Sequence, residues 1–156
     1  MTTGGDAELY AACADDLVRL ATGLVGPSDA TDVVAGAVAR LLGSPAWRGA
    51  RRKRAYLFQS VVNEARMHQR TQSRRVAREQ RVAVPESVNA VPEIDALSCL
   101  DALSTRQRAV IVLTYWHDLD QAAIASLLGI SRGSVARHLE RAHTKLREVM
   151  ADARDA

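Results

Sequence analysis

Near the C-terminus, Ser134, Arg137, His138, Arg141 and Lys145 follow one another at helical steps, with Ser131 and Arg132 just ahead of them. On a helix that spacing gathers them on one face. An arginine on such a face can bond bidentately to O6 and N7 of a guanine, and hydroxyls and further cations suit phosphate oxygens. A second basic set lies earlier, with Arg51, Arg52, Lys53 and Arg54 in a row, then Asn63, Arg70, Arg74 and Arg75. The chemistry open to both sets is recognition of a polyanion rather than bond making.

Nothing in the chain supplies a catalytic constellation. It has no Gly-rich phosphate loop followed by Lys-Ser or Lys-Thr, no His-Glu-x-x-His and no Cys-x-x-Cys. His68, His117, His138 and His143 are scattered, and Cys13 and Cys99 share no metal-ligand spacing with them. Both cysteines fall at apolar positions of expected helices and read as reduced core residues. The expectation is therefore no enzyme, no cofactor and no metal.

The elements that position the C-terminal face can be read from caps and turns. Asp120 is a good N-cap, Gln121 to Leu128 contains no helix breaker, and Gly129 lacks the Cβ that opposes a left-handed cap. Ile130 can bury between two helices, and Ser131 can cap a second helix starting at Arg132. There Val135, Leu139, Ala142, Leu146 and Val149 or Met150 form an apolar stripe. This is a helix-turn-helix, whose second helix enters the major groove at its start. A basic face alone would be an ordinary solvated surface; the Leu-Gly-Ile-Ser turn gives it another meaning. Upstream, Ser104 and Gln107 form a capping box for a helix from Thr105 to about Trp116, buried on several sides. Leu97, Leu100 and Leu103 complete a bundle of four short helices.

Charge is segregated along the 156 residues. Residues 1–47 hold six acids and two bases, residues 48–81 eleven bases and two acids, and residues 82–105 four acids and no base. A polyanion should lie along the basic middle and the final basic helix. Tyr10, Cys13, Leu17, Leu20 and Leu24 predict a first helix from about Ala7 to Val25, ended by Gly26-Pro27. Ser28 or Asp29 caps a second, with Ala30, Val33, Val34, Ala37, Val38, Leu41 and Leu42 on one face and Gly43 at its end. Residues 44–54 read as a loop. From about Ala55 a third helix carries Leu57, Phe58, Val61, Val62 and Ala65 before it becomes Arg-rich to Arg81. Residues 82–95, with Pro85 and Pro92, read as an extended linker.

Three runs then make a family visible: Asp-Ala-Leu-Ser-x-x-Gln-Arg-x-Val at 101–110, Ile-Ala-x-Leu-Leu-Gly-Ile-Ser-x-Gly-Ser-Val at 124–135, and Leu-Glu-Arg-Ala-x-x-Lys-Leu-Arg at 139–147. They resemble the fourth conserved region of an extracytoplasmic-function sigma factor, which binds the minus-thirty-five element of a promoter. The front half is similar to the second conserved region of that family, which holds the polymerase clamp and opens the minus-ten element. It carries this likeness in Ala30-x-Asp32, Arg54-Ala-Tyr-Leu, and Val61-Val-Asn63 leading into Arg70, Arg74 and Arg75. Where the family usually has Gln and an acid on the clamp-binding helix, this chain has Ala35 and Gly36; Val38 replaces a frequent Phe, and Met67 a frequent Asp.

The resemblance implies an all-α chain of two small helical domains, 1–81 and 96–150, joined by a short flexible linker at 82–95, the second a helix-turn-helix domain. It implies a sigma factor that joins core RNA polymerase, with promoter DNA as its other partner and an anti-sigma factor as a further one. The implied contacts are Ser131, Arg132, Ser134, Arg137, His138 and Arg141 on the upstream element. Arg51, Arg52, Lys53, Arg54, Asn63, Arg70 and Arg74 fall to the melting region, and Asp32, Ala35, Gly36 and Arg40 to the polymerase, with Ala35 and Gly36 on the exposed side of the second helix. Two readings remain beside it: a plain helix-turn-helix regulator, and an interaction protein that sequesters a partner. No run of eighteen apolar residues is present and the N-terminus lacks the basic start of a signal peptide, so the expected location is the cytoplasm, without membrane insertion.

Overall fold

The computed structural model describes residues 3–81 and 96–156, and every regular element among them is helical. Four helices build the front half: α1 (Thr3–Val25), α2 (Ala30–Leu42), α3 (Pro45–Gly49) and α4 (Lys53–Gln80). In α1 the positions Cys13, Leu17, Leu20, Ala21 and Leu24 are wholly buried, as a stripe at helical spacing must be when it faces a core. Tyr10, expected in that stripe, is exposed. Gly26 ends α1 at φ +88, a value its missing Cβ makes accessible, and Pro27 prevents continuation. α2 buries Val33, Val34, Ala37 and Leu41, while Leu42 leaves the stripe and stands 55% exposed.

The loop expected at 44–54 contains α3. Ser44 accepts a hydrogen bond from the Ala46 amide at 3.2 Å, and Pro45 at the first helical position has the right φ and lacks only an N–H that would be unpaired anyway. The Pro and Gly that suggested a loop are thus the start and end of one helical turn. α3 carries Trp47 into the core. Its Nε1 donates to Asp6 at 3.0 Å, Lys53 donates to the same carboxylate at 2.6 Å, and the Lys53 ammonium lies 4.9 Å from the indole centre. These bonds, Lys53's before Trp47's, hold the Asp6 carboxyl below its ordinary value. A depressed carboxyl contributes stability that is present above the unfolded pKa of about 3.9 and lost as pH falls through the folded value. Asp6→Asn should therefore flatten the acid limb of a denaturant-stability profile below about pH 4. An unaltered limb would show that Asp6 is merely solvated.

α4 buries Leu57, Phe58, Val61, Val62 and Ala65 against α1 and α2, then continues as an exposed basic helix. The back half comprises α5 (Ala96–Cys99), a 3-10 turn at Leu100–Ala102, α6 (Thr105–Tyr115), α7 (Gln121–Leu128) and α8 (Arg132–Asp155). Both arms of the Ser104–Gln107 capping box are present. Ala109 to Leu113 are buried without interruption, which explains why α6 shows no apolar stripe. Tyr115 and Trp116 do not continue that burial and turn outward, 57% and 46% exposed. Cys13 is buried and free; Cys99 is free and only half-buried, short of the core position expected for it. The linker expected at 82–95 and the packing of Leu97 lie outside the described residues.

Although the sequence suggests two separate units, α6 packs on α1 and α7 on α4, and the buried residues of both halves form one continuous cluster. No described helix is long and apolar enough to cross a membrane.

Candidate nucleic-acid interface

The helix-turn-helix is built as its residues dictate. Asp120 caps α7 by accepting from the Ala123 amide at 2.7 Å, and Gly129 closes the helix in the left-handed region at φ +67. The Ile130 amide then bonds the Ala125 carbonyl at 3.1 Å, and Ile130 is partly buried against the core. Ser131 starts α8 by accepting from the Ser134 amide at 3.0 Å, and its own hydroxyl meets that of Ser134 at 2.9 Å. Both serines thus spend hydrogen bonds on the cap and stand ready at a helix N-terminus, where phosphate oxygens are favoured.

Val135 and Ala142 fix the inner face of α8, so Arg132, Arg137 and Arg141 point outward. All three are exposed, and none has an ion pair among the described residues. His138 differs from the expectation of a free reading residue. It is half-buried, its Nδ1 is enclosed without a hydrogen-bond partner, and burial, then the charges of Arg106, Arg141 and Arg137, hold its pKa below the ordinary value. Its lowered pKa keeps the ring neutral near pH 7.

In the front half the basic row divides. Arg51 is exposed, whereas Arg52 donates to the Ser126 carbonyl at 3.2 Å and to its hydroxyl. Lys53 is taken by Asp6, and Arg54 lies 3.6 Å from Asp16, 3.4 Å from the Cys13 sulfur and over the Phe58 ring. Lys53 and Arg54 therefore tie α4 to α1, a role that a run of four bases does not reveal. Further along α4, Arg70 and Arg74 are exposed, one turn apart and without ion pairs among the described residues, while Arg75 pairs with Glu79 at 3.0 Å. Asn63 is exposed at the edge of a cleft that it shares with Gln59, Arg106, Leu128 and Ile130.

On α2, Asp32, Ala35 and Arg40 are exposed. Arg40 pairs with Glu64 of α4 at 3.3 Å and reaches the Met67 sulfur at 3.4 Å. Gly36 is not on the open side of α2 as expected. It faces α4, where a Cβ would lie 3.1 Å from a Glu64 carboxylate oxygen.

Sequence reasoning missed one further surface. Tyr115, Trp116 and Met150 open an apolar groove whose floor includes Leu100, Ile111 and Leu146, with the Tyr115 hydroxyl 2.8 Å from His143 Nε2. The only signal was two aromatic residues ending an apolar run, which read equally well as core. No group of three or more His, Cys, Asp or Glu among the described residues could hold a metal ion.

Residues 94–146 match the family described as Sigma-70, region 4. The RNA polymerase sigma-E factor of Streptomyces antibioticus is 34% identical over 147 residues, which is 86% of this chain and 78% of that protein. Its counterpart in Streptomyces coelicolor is 34% identical over 155 residues, 90% of this chain and 82% of that one. The fold is also that of the sigma factor RpoE of Bartonella quintana, crystallised in complex with the anti-sigma factor NepR, at a TM-score of 0.65 and 20% identity over 94% of this chain and 97% of that one. With its helix-turn-helix, its basic α4 and relatives of this similarity along most of its length, the chain belongs to the sigma factors of RNA polymerase, in the extracytoplasmic-function group.

Proposed function

We propose that this sigma factor divides its work between its halves. The back half, 96–150, reads the upstream, minus-thirty-five element through Arg132, Arg137 and Arg141, with Ser131 and Ser134 on phosphates and His138 beside them. The front half, 1–81, docks on core polymerase through α2 and holds the minus-ten region through Arg51, Arg52, Asn63, Arg70 and Arg74. The observation that carries this reading is the set of exposed arginines on α8 with no ion pair among the described residues, on a helix whose N-cap and core face are fixed. Lys53 and Arg54 support α4 from beneath rather than meeting DNA. No step is catalysed by the chain itself and no cofactor takes part. The protein works in the cytoplasm, where polymerase and promoters are, and an anti-sigma factor restrains it.

The polymerase face in this reading departs from the family pattern at one position. Asp32, Ala35 and Arg40 form it, and Gly36 lies behind it. Ala35→Gln should tighten binding to core, by up to about 1.5 kcal/mol if the new amide gains one hydrogen bond. Gly36→Glu should not, because it sets a second carboxylate against Glu64 and displaces the Arg40 pair. Titration of fluorescently labelled chain with core polymerase separates the two variants. Tightening by Gly36→Glu alone would move the docking surface. The division of labour is tested by footprinting the holoenzyme on a promoter: Arg137→Ala should lose protection upstream and Arg70→Ala with Arg74→Ala near the start site. The reverse pattern would overturn it.

A further inference from the structure

His117 and His138 each have one ring nitrogen, Nε2 in the first and Nδ1 in the second, enclosed by the protein without a hydrogen-bond partner. They lie at opposite ends of α6. His117 follows its last turn, with an amide bonded to the Val112 carbonyl at 3.3 Å, and His138 on α8 feels the charge of Arg106 in its first turn. Between those ends α6 is closely held: Ala109 to Leu113 are buried, and a Cβ at Gly23 of α1 would meet the Val112 side chain at 2.5 Å. The ends are where it can give.

An imidazolium carries a proton on both nitrogens, so the enclosed one would become a buried donor with no acceptor. The surrounding charges add to that cost. Near His117, Asp16 of α1 favours a cation, but Arg19 of α1 and Arg54 of α4 oppose it, and Asp16 already lies 3.6 Å from the Arg54 guanidinium. Asp118 and Asp120, in the loop that carries His117, are exposed. Near His138 stand Arg106 of α6 and Arg141 and Arg137 of α8. The other elements packed on α8 offer no counter-charge: α5 and α7 have no acidic or basic residue, and Asp101 of the 3-10 turn is bonded to Arg108. Burial is the largest cause at both rings and, with the arginines, holds both pKa values below the ordinary one, Asp16 notwithstanding.

We infer that the two histidines are an acid-sensitive brace on α6: neutral, they fill the sites at its two ends, and protonation drives the rings out and loosens the helix there. The sign follows from linkage. The unfolded chain takes up these protons near pH 6.5 and the folded chain only at lower pH, so the stability they contribute is complete above about 6.5 and lost as pH falls through the folded values. Each ring can change the folding equilibrium by up to about tenfold per pH unit in that window. Asp6 acts on a separate limb, below about pH 4. Because α8 packs on α6, acidification also weakens initiation, a consequence that rests on the functional division given above.

Chemical denaturation of the full chain from pH 8 to 5 is the test. The wild-type folding equilibrium should fall by roughly tenfold or more between about pH 7 and 5.5, less in His117→Leu and in His138→Leu, and hardly at all in the double variant. A flat wild-type profile, or a double variant that keeps the whole fall, would refute the brace. Should a variant not fold, the ring C–H resonances of the wild-type chain decide: both histidines should titrate below about pH 6.5, and a midpoint at or above it for either would refute the pair. Run-off transcription with core polymerase separates the two levels. From about pH 7.5 to 5.8 the yield of His117→Leu relative to wild type should rise by about twofold or more. A constant ratio would rule out control of initiation by the brace, whereas wild-type chain inactive even at pH 7.5 would sink the functional division and leave the denaturation result standing.

Discussion

Replacing Arg132, Arg137 and Arg141 together with alanine should weaken binding to the upstream element by roughly a hundredfold or more, since each base or phosphate contact is worth about 1–3 kcal/mol. Thermal unfolding should barely move, because the three side chains are exposed and have no ion pair among the described residues. The single variants then sort the roles. A variant that relaxes preference at one base pair has lost a base contact; one that weakens all sequences alike, and reduces the salt slope by about 0.9, has lost a phosphate contact. Binding unchanged in the triple variant would remove this face from the interface.

Phe58→Ala should be the most damaging single change to the fold, at about 3–5 kcal/mol in chemical denaturation. Phe58 is completely buried, the largest such side chain among the described residues, and lies on α4 where α1 and α2 pack against it. Its ring also carries the Arg54 guanidinium at 5.0 Å, so the loss would reach the tie between α4 and α1. A cost under about 1 kcal/mol would mean that the front core can collapse into the space, contrary to the close packing of protein interiors.

The helix-turn-helix was legible because its signals are local. Asp120, Gly129 and Ser131 act on backbone groups within a few residues, so their types alone predict the caps that form. α3 was hidden because Pro45 and Gly49 mark a loop as readily as the two ends of one helical turn, and the choice depends on Trp47 finding a core. The row at 51–54 is only partly legible for a related reason. Charge can be counted from sequence, but whether Lys53 meets DNA or Asp6 depends on a contact 47 residues away. Gly36 and Gly23 show the same limit. Each is a weak point of a helix in sequence and a place of close approach in space, and only the neighbouring helix tells which.

This chain should confer promoter-specific initiation on core RNA polymerase. Run-off transcription with purified core, with and without the chain, on templates carrying randomised upstream DNA tests it most directly. Transcripts should form only when the chain is present, from templates that share an upstream and a start-proximal element, and should be lost in the Arg132, Arg137 and Arg141 variant. Transcripts no more numerous or selective than those of core alone would contradict it.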